Sequence, residues 1–380
     1  MSEIRVDSIG NESNTGGPVL SGITTFSGQQ YFIPPTGTTA ERPSDCPPGS
    51  IRFNTDTAHL EYWDGLVWLE FEASSEELGQ GTTGDAGTGT RAMIYMGFSS
   101  PSNLNTINAL NMANGGTATD FGNSSITARQ QGSCASSTRG LRAGGFVSAF
   151  SDTIDFVTIS STGDATDFGN LTQARGGYLG SISNNTRGLF AGGYADGPAR
   201  RFNIIDYVTI PSTGDAVDFG DLTANRSAPG NGVASPVRGV FFGGYTPTQL
   251  NSIDYITIST LGNARDFGDC TSTVRSGAGA SNATRGLYMG GQRSPLTHTN
   301  VIEFITIAST GNAQDFGDLN ATSDMGASAA SPTKAIHHEA RNATPISAVM
   351  IATTGNSTDF GDTSTSAAQT SGCSNGHGGL

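Results

Sequence analysis

Residues 175–222 read RGGYLGSISNNTRGLFAGGYADGPARRFNIIDYVTIPSTGDAVDFGDL, and this stretch contains one complete repeat. Residues 175–183 are rich in small side chains, and 186–193 end in paired glycines. Residues 204–210 alternate between apolar and polar positions, which is typical of a pleated strand. A Thr-Gly-Asp turn then leads into 216–222, which carries Asp-Phe-Gly. The repeat therefore predicts four short consecutive strands.

The Asp-Phe-Gly tripeptide occurs six times, at intervals of 44 to 51 residues. Six copies of four strands at this period are typical of a β-propeller. Gly accounts for 53 of 380 residues and charged residues for only 14%, which favours an all-β chain over a helical one. We expect the phenylalanines of the tripeptides to be buried between neighbouring blades: Phe121, Phe168, Phe219, Phe267, Phe316 and Phe360.

The order of these strands resembles the kelch repeat, with a small-residue strand, a strand ending in Gly-Gly, a strand with Tyr or Phe, and a strand with a late aromatic residue. Here the late aromatic is the Phe of Asp-Phe-Gly, where kelch repeats usually have Trp. The resemblance covers roughly residues 90–380 and implies a six-bladed kelch-like β-propeller.

The two ends of the repeat region complement each other. Residues 90–96 (TRAMIYM) match a second strand, and 371–380 (SGCSNGHGGL) match a first strand. We therefore expect the C-terminal strand to pair beside 91–97 and close the ring, which removes two sheet edges. The alignment places one column of residues on the innermost strands near a central channel: Cys134, Ile182, Val233, Ala280, Ala329 and Cys373.

Residues 1–72 lack the repeat and are predicted to form a small β-rich stalk or anchor module. Within it, 51–71 (IRFNTDTAHLEYWDGLVWLEF) indicates three short strands with an Asp-Gly hairpin turn. Residues 73–89 are acidic and then rich in Gly and Thr, which predicts a flexible linker. The propeller is predicted to occupy 90–380.

Two segments of the first module carry a second resemblance: 17–28 (GPVLSGITTFSG) and 41–71, with its RP, PPG and IRFNTDT motifs. They resemble the N-terminal region of tail-fibre-like virion proteins of bacteriophages, especially those infecting marine cyanobacteria. This resemblance implies a virion structural protein on the tail or capsid surface. It also implies that 1–72 attach to other virion proteins or trimerise, so that we expect a homo-oligomer, with a trimer favoured.

Composition argues against several other classes of protein. A net charge of −14 disfavours nucleic acid as a partner, because phosphates would be repelled. No apolar run approaches the roughly 20 residues of a membrane span, and no secretory signal is evident, so we predict no membrane insertion. The four cysteines are scattered without CxxC spacing and are interpreted as reduced packing residues.

We predict no enzyme, no catalytic residues, no cofactor and no metal. The kinase magnesium motif needs one Asp-Phe-Gly with a catalytic loop and a phosphate loop, and this chain has neither loop. The turn aspartates Asp164 and Asp215 lack a calcium-loop pattern and are expected to be solvated. The only histidine cluster, His337 with His338, replaces the apolar strand end of its repeat and is interpreted as surface change rather than a metal site.

Arginines recur at two places in the repeat, and we expect them to bridge neighbouring blades through backbone carbonyls. A ring of substrate-binding arginines is the alternative. The two sets are Arg129, Arg175, Arg226 and Arg275, and Arg139, Arg187, Arg238 and Arg285.

The loops between second and third strands vary from copy to copy, at 146–152, 194–202, 245–250 and 292–299. Variable loops on a rigid scaffold are the usual place for recognition, so we predict that they bind a host surface glycan or protein. The candidate ligand-binding residues are Tyr194, Arg200, Arg201, Tyr245, Gln292, Arg293 and His298. The alternatives are a purely structural capsid-decoration or tail-connector protein and, more weakly, a glycan-active enzyme.

Overall fold

The described part of the chain is all-β and divides into two compact units, Met1–Ser74 and Ser75–Leu380. The computed structural model describes residues 34–57, 59–70, 90–195 and 201–380. Among these residues, the helical structure is limited to one 3-10 turn, Thr39–Glu41. The predicted linker at 73–89 lies outside the described residues.

The first unit contains one four-stranded sheet. Its strands are, in sheet order, Thr36–Gly37, Ile51–Asn54, His59–Trp63 and Trp68–Glu70. The first pair is parallel and the other two pairs are antiparallel. The three strands predicted within 51–71 are confirmed, and Asp64 supports their hairpin turn by accepting the N–H groups of Leu66 and Val67 at 2.7 and 2.8 Å.

The second unit contains six groups of four antiparallel strands, which we call sheets 1 to 6. Sheets 1 to 3 have the strands Ser371–Ser374, Arg91–Tyr95, Thr106–Asn111, Thr119–Asn123; Gly132–Ala135, Arg139–Ala143, Thr153–Thr158, Thr166–Asn170; and Gly180–Ser183, Arg187–Ala191, Ile204–Thr209, Val217–Asp221. Sheets 4 to 6 have the strands Val233–Ala234, Arg238–Phe242, Leu250–Thr257, Arg265–Arg275; Ala278–Ser281, Arg285–Met289, Thr297–Thr306, Gln314–Ser323; and Ser328–Ala330, Lys334–His338, Ala343–Met350, Thr358–Ala367.

Two smaller elements complete the second unit. Gln292–Arg293 pairs with strands of both sheet 4 and sheet 5 and so joins them into one nine-stranded sheet. Phe98–Ser99 and Ser102–Asn103 form a separate two-stranded hairpin.

The predicted pairing of the C-terminal strand is confirmed, because Ser371 lies opposite Tyr95 and Ser374 lies opposite Ala92. The first strand of each sheet contacts the first strands of two other sheets, and sheet 6 neighbours sheet 1. Register also confirms the predicted column of equivalent residues. Each member faces the third residue of the second strand in its sheet: Cys134, Ile182, Val233, Ala280, Ala329 and Cys373.

The expected bridging by arginine is confirmed for the set that begins each second strand. The Nη1 of Arg139 donates to the carbonyl of Ile210 in the next sheet at 2.8 Å. Arg91, Arg187, Arg238 and Arg285 make the same bond at 2.7 to 3.0 Å. In sheet 6, Lys334 takes this role and donates from Nζ to the carbonyl of Met112, beside sheet 1, at 3.0 Å.

The outer strands are joined by a second contact between neighbouring sheets. The N–H of Gly163, in a turn of sheet 2, donates to the carbonyl of Phe121 in sheet 1 at 2.8 Å. Gly122, with φ of +146°, packs so closely that an added Cβ would lie 2.3 Å from the carbonyl oxygen of Gly163. Only glycine fits this place, which explains why the Phe of the repeat is always followed by Gly.

Asp164 and Asp215 were expected to be solvated, and the structure shows that each also forms a hydrogen bond to the neighbouring sheet. Both residues are exposed, but Asp164 accepts the backbone N–H of Asn123 at 2.8 Å and Asp215 accepts that of Asn170 at 2.9 Å. Each carboxylate thus satisfies a donor on the neighbouring sheet, and asparagines do the same in later turns, for example Asn312 with Asp269.

Five of the six repeated phenylalanines are buried as predicted, with 2 to 3% of their surface exposed. Phe360, in sheet 6, is only partly buried. Two neighbours that cover this ring in sheets 2 to 5 are changed there, because Lys334 replaces arginine and Ala348 replaces the aromatic residue of the third strand.

The interpretation of His337 and His338 as surface residues was wrong, since both are at most 1% exposed. His337 contacts the hydroxyls of Ser328 and Ser323, each at 2.8 Å. His338 lies 3.0 Å from the carbonyl oxygen of Ala343. Burial lowers the pKa of His337 to about 3 and that of His338 to about 4, so both rings are neutral at pH 7.

Deletion of residues 371–380 is expected to lower the melting temperature of the second unit sharply. The deletion removes the first strand of sheet 1 and uncovers its second strand, whose side chains are almost fully buried. A shorter deletion of 377–380 leaves that strand in place and should have a much smaller effect. Thermal unfolding followed by circular dichroism compares the two, and equal melting temperatures would contradict the predicted role of this strand.

Acidification should destabilise the chain through the two buried histidines. In the unfolded chain their pKa is about 6.5, so below that pH the unfolded state binds more protons than the folded state. Stability is therefore lost progressively as the pH falls from about 6.5 towards the lowered values, on the order of 2 kcal/mol per histidine by pH 4.5.

The matched variant His337→Tyr/His338→Met carries the residues that sheet 5 has at the same positions, Tyr288 and Met289. Urea unfolding at pH 7 and pH 4.5 should show a smaller loss of stability on acidification in this variant than in the natural chain. Equal losses in the two proteins would show that the histidines do not cause the acid sensitivity.

Candidate binding loops and central channel

The four predicted binding loops contact one another in chain order, and we call them together the variable face. The rings of Phe150 and Tyr194 meet edge to face with centroids 4.8 Å apart. The guanidinium of Arg201 lies over the ring of Tyr245 at 4.8 Å. The amide of Gln249 donates to the carbonyl of Gln292 at 3.3 Å. The loops of sheets 2 to 5 therefore form one continuous surface.

Two of the predicted residues, Tyr194 and Tyr245, are packed side chains with defined partners. The hydroxyl of Tyr194 donates to Oε1 of Gln130 at 3.2 Å. The ring of Tyr245 lies between two guanidinium groups, that of Arg201 and that of Arg275 at 4.6 Å. Stacking of this kind is favourable and holds the ring in place. Both tyrosines remain partly exposed.

Gln292 and His298 are brought together around Asp324, a residue that the sequence did not single out. Gln292 accepts two hydrogen bonds from Arg275, at 2.9 and 2.7 Å, and donates to Oδ2 of Asp324 at 3.1 Å. Nδ1 of His298 lies 3.1 Å from Oδ1 of the same carboxylate. Arg341 approaches Asp324 from sheet 6 at 3.7 Å, with 45% of its side chain exposed. A linked polar network thus spans sheets 4 to 6.

The remaining two predicted residues do not join this surface in the same way. Arg293 turns inward, pairs with Glu303 and donates to the hydroxyl of Thr271 at 3.0 Å, and its side chain is only 14% exposed. Arg200 lies outside the described residues. The geometry therefore favours Arg201 over Arg293 as an arginine available to a ligand.

A column of buried carboxylates on the third strands was missed by sequence reasoning. Its members have no exposed surface: Asp155, Asp206, Asp254 and Glu303. Each also accepts a backbone N–H from the preceding sheet at 2.7 to 3.0 Å. The sequence does contain a pattern that indicates this column, because an acidic residue stands between isoleucine and an aromatic residue in four copies of the repeat.

Arginine neutralises these carboxylates from different parts of the repeat. Arg175 lies 2.8 Å from Asp206, Arg226 pairs with Asp254, and Arg142 lies 3.7 Å from Asp155. In the second repeated arginine set, the expected bridging is confirmed for Arg175 and Arg226. The backbone N–H of each bonds to a loop of one sheet, and the side chain donates to a carbonyl of the next sheet, that of Phe190 at 3.0 Å and that of Gly243 at 2.7 Å. Arg129 instead lies over two aromatic rings at 5.1 Å. A buried charge needs such a partner, so these pairs have a structural role.

Residues of the first strands of all six sheets line a cavity of about 40 Å³. Cys134 and Cys373 line it, and burial raises the pKa of the Cys134 thiol to about 12, so this sulfur stays protonated and unreactive. His377 also lines this cavity, with Nε2 2.8 Å from the carbonyl oxygen of Ala135, and the N–H of Gly378 donates to the carbonyl of Ser281 at 2.7 Å. The space holds only a few water molecules, so it is too small for a sugar or a nucleotide.

Two further features of the described residues bear on function. The described residues contain no group of three or more His, Cys, Asp or Glu side chains arranged to hold a metal ion. Within 34–57, 59–70, 90–195 and 201–380, no helix is long and apolar enough to cross a membrane.

Comparison with known proteins adds no assignment to this geometry. The chain matches no protein-family model, and it matches no curated protein.

Proposed function

We propose that residues 90–380 form a closed six-bladed kelch-like β-propeller, completed by the C-terminal strand. Three observations support closure. The chain has six groups of four antiparallel strands, and their first strands contact one another in cyclic order. A side chain of each sheet also donates a hydrogen bond to a backbone carbonyl of the next sheet. In sheet 1 the donor is Arg91, and in sheet 6 the donor is Lys334, whose acceptor, the carbonyl of Met112, lies beside sheet 1.

We propose that this propeller is a recognition module of a phage virion structural protein of the tail-fibre or appendage type, and that it binds a host surface glycan or protein rather than acting as an enzyme. The observation that carries the proposal is the variable face, a continuous surface of aromatic and arginine side chains on irregular loops. Tyrosine and arginine are enriched where proteins bind partners. The placement on a virion is supported by the resemblance of residues 17–28 and 41–71.

The first unit is proposed to attach to other virion proteins or to a second copy of the chain, and its inverted polarity supports this role. Pairing puts Ile51, Phe53, Leu60, Tyr62 and Leu69 on one face of the sheet. Three of them are 38 to 51% exposed, and none of the five is buried. A sheet this small with an open apolar face gains stability when a partner covers it.

The opposite face of the same sheet holds the buried residues of this unit, and these are polar: Arg52, Asn54 and Glu61. Glu61 is fully buried and lies 2.6 Å from Arg42 and 3.2 Å from the amide of Asn54. Burial alone would raise the pKa of Glu61, but these hydrogen bonds keep the pKa below its ordinary value. Among the described residues of this unit, no apolar side chain is buried, so this part of the chain has no apolar core of its own.

A purely structural capsid-decoration or tail-connector protein is the second candidate. It is favoured by the pairing of polar groups on the variable face with each other, as in the network of Gln292, His298 and Asp324. Electron microscopy of labelled particles separates the two candidates. A few distal copies support receptor binding, whereas many copies in a lattice support decoration.

Removal of partly exposed polar groups from the variable face, together with the adjoining Arg341 of sheet 6, should abolish attachment of the purified protein to host cells. We choose Arg201→Met, His298→Gln and Arg341→Met because the two tyrosines are packed, and their loss would also affect stability. Flow cytometry with labelled protein is expected to show at least a tenfold loss of binding, with a melting temperature close to that of the natural chain.

The control Thr162→Glu/Thr213→Glu changes exposed residues in turns between third and fourth strands, which lie outside the variable face. It should leave attachment unchanged. If the triple variant attaches as well as the control does, receptor binding by the variable face is excluded and the structural candidate is favoured.

Charged substitutions on the apolar face of the first unit should prevent its association. Ile51→Glu with Leu69→Glu places two charges where a partner would bury apolar side chains. Sedimentation analysis is expected to show smaller assemblies than for the natural chain, with no change in the melting temperature of the second unit. Leu66→Glu, in a turn and 84% exposed, is the matched control. Unchanged assembly size in the double variant would contradict an attachment role for this face.

A further inference from the structure

The third strands of sheets 2 to 5 share one aromatic arrangement. Each carries a ring that lies 4.5 to 4.9 Å from the guanidinium at the start of the second strand. The same ring meets the repeated phenylalanine edge to face, with centroids 5.8 to 6.0 Å apart. The four rings belong to Phe156, Tyr207, Tyr255 and Phe304. In each of these four sheets, the ring of the third strand thus fills the space between the arginine and the repeated phenylalanine.

Sheet 6 keeps the surroundings of this ring but not the ring itself. Register places Ala348 where sheet 5 has Phe304, since each faces the third residue of the second strand. The cation is present as Lys334, whose Nζ lies 4.6 Å from the centroid of Phe360. The place beside Ala348 is a cavity of about 300 Å³ lined also by Lys334, Met350, Thr358 and Phe360. Sheet 5, which keeps its ring, also has a hollow beside the matching turn; it measures about 230 Å³ and is lined by Phe304 and by Phe267 of sheet 4.

Loss of the aromatic residue is not by itself enough to uncover the repeated phenylalanine. Sheet 1 also has alanine at this position, Ala109, yet its Phe121 is only 3% exposed. There the guanidinium of Arg91 lies over the Phe121 ring at 5.7 Å. Sheet 6 combines Ala348 with Lys334, and there Phe360 is partly exposed, beside a methionine, Met350, that is 50% exposed.

We propose that this cavity in sheet 6 binds a phenyl or phenol ring, which takes the place that Phe304 fills in sheet 5. An apolar ring there would bury the exposed surface of Phe360 and Met350. It would lie next to the ammonium group of Lys334, whose attraction for an aromatic face favours an aromatic over a saturated ring. Cavities left by a missing large side chain bind small aromatic molecules elsewhere when they are apolar. This site is separate from the variable face and does not depend on the proposed receptor binding.

The test is a titration of the full chain with 4-methylphenol, followed by the ¹³C-methyl NMR signal of Met350. We expect a saturable shift with a Kd of about 1 mM, in keeping with a ligand of this size. Ala348→Phe restores the ring found in sheets 2 to 5 and should weaken binding at least tenfold. Absence of a saturable shift up to 10-fold above that concentration, or equal affinity in Ala348→Phe, would overturn the proposal.

Two further arms define the ligand and protect the test against a variant that fails to fold. Phe304→Ala should create a second site in sheet 5, so that two rings bind per chain, whereas an unchanged stoichiometry counts against the proposal. 4-Methylcyclohexanol should bind about two- to fivefold more weakly than 4-methylphenol, and Lys334→Met should remove this preference. Equal binding of both rings by the natural chain contradicts the cation–ring argument.

Titration with N-acetyltyrosinamide tests whether the bound ring comes from a polypeptide or from a free aromatic molecule. If it binds as 4-methylphenol does, the site accepts an aromatic side chain from a partner polypeptide. If only 4-methylphenol binds, the site accepts a free aromatic molecule. Tighter binding of methyl β-glucopyranoside than of either aromatic probe would replace the aromatic proposal by sugar stacking.

Discussion

The hydrogen bond from the cation at the start of each second strand to a carbonyl of the next sheet is the constraint on which the second unit depends. It fixes neighbouring sheets relative to each other in all six places. Arginine is the donor in five of them, as in the bond from Arg139 to Ile210, and lysine is the donor in the sixth, the bond from Lys334 to Met112. The same guanidinium lies over the aromatic ring of its own sheet in sheets 2 to 5. One side chain thus orients the ring that packs on the repeated phenylalanine and holds the adjacent sheet. In sheet 6, where both the arginine and the ring are changed, the repeated phenylalanine is partly exposed and lines a cavity of about 300 Å³.

Much of this architecture could be predicted from the sequence, because the repeat is regular and its strand pattern is clear. The pairing of the C-terminal strand with Arg91–Tyr95 followed from the mismatch between the first and last copies. The buried state of Asp206 and His337 could not be predicted in the same way. Alternation of apolar and polar residues separates the two faces of a strand, and it predicts solvent on the polar face when only one face is covered. Here neighbouring sheets cover both faces, so the polar positions are buried and paired instead.

The prediction that the variable loops share one face agrees with their contacts, whereas the partners of individual side chains were not predicted. The variable loops do contact one another, but the sequence did not indicate that Tyr245 lies between two arginines or that Gln292 bridges Arg275 and Asp324. Arg201 and Arg293 were equivalent as sequence candidates. In the structure, Arg201 lies over the partly exposed ring of Tyr245, whereas Arg293 pairs with the buried carboxylate of Glu303. The difference depends on where Glu303 lies across the sheet, which is set by the packing of residues distant in the chain.

The pairing of residues near 91 with residues near 374 has a consequence for how the chain is made. During synthesis, the second strand of sheet 1 emerges long before its first-strand partner, and almost all of the second unit must be translated in between. Until then the strand presents an unpaired edge, which invites pairing with other chains. Joining such distant segments is entropically costly and slow. The late arrival of Ser371–Ser374 therefore makes the nascent chain vulnerable to misassembly, and production at low temperature or with a holding chaperone should raise the yield of folded protein.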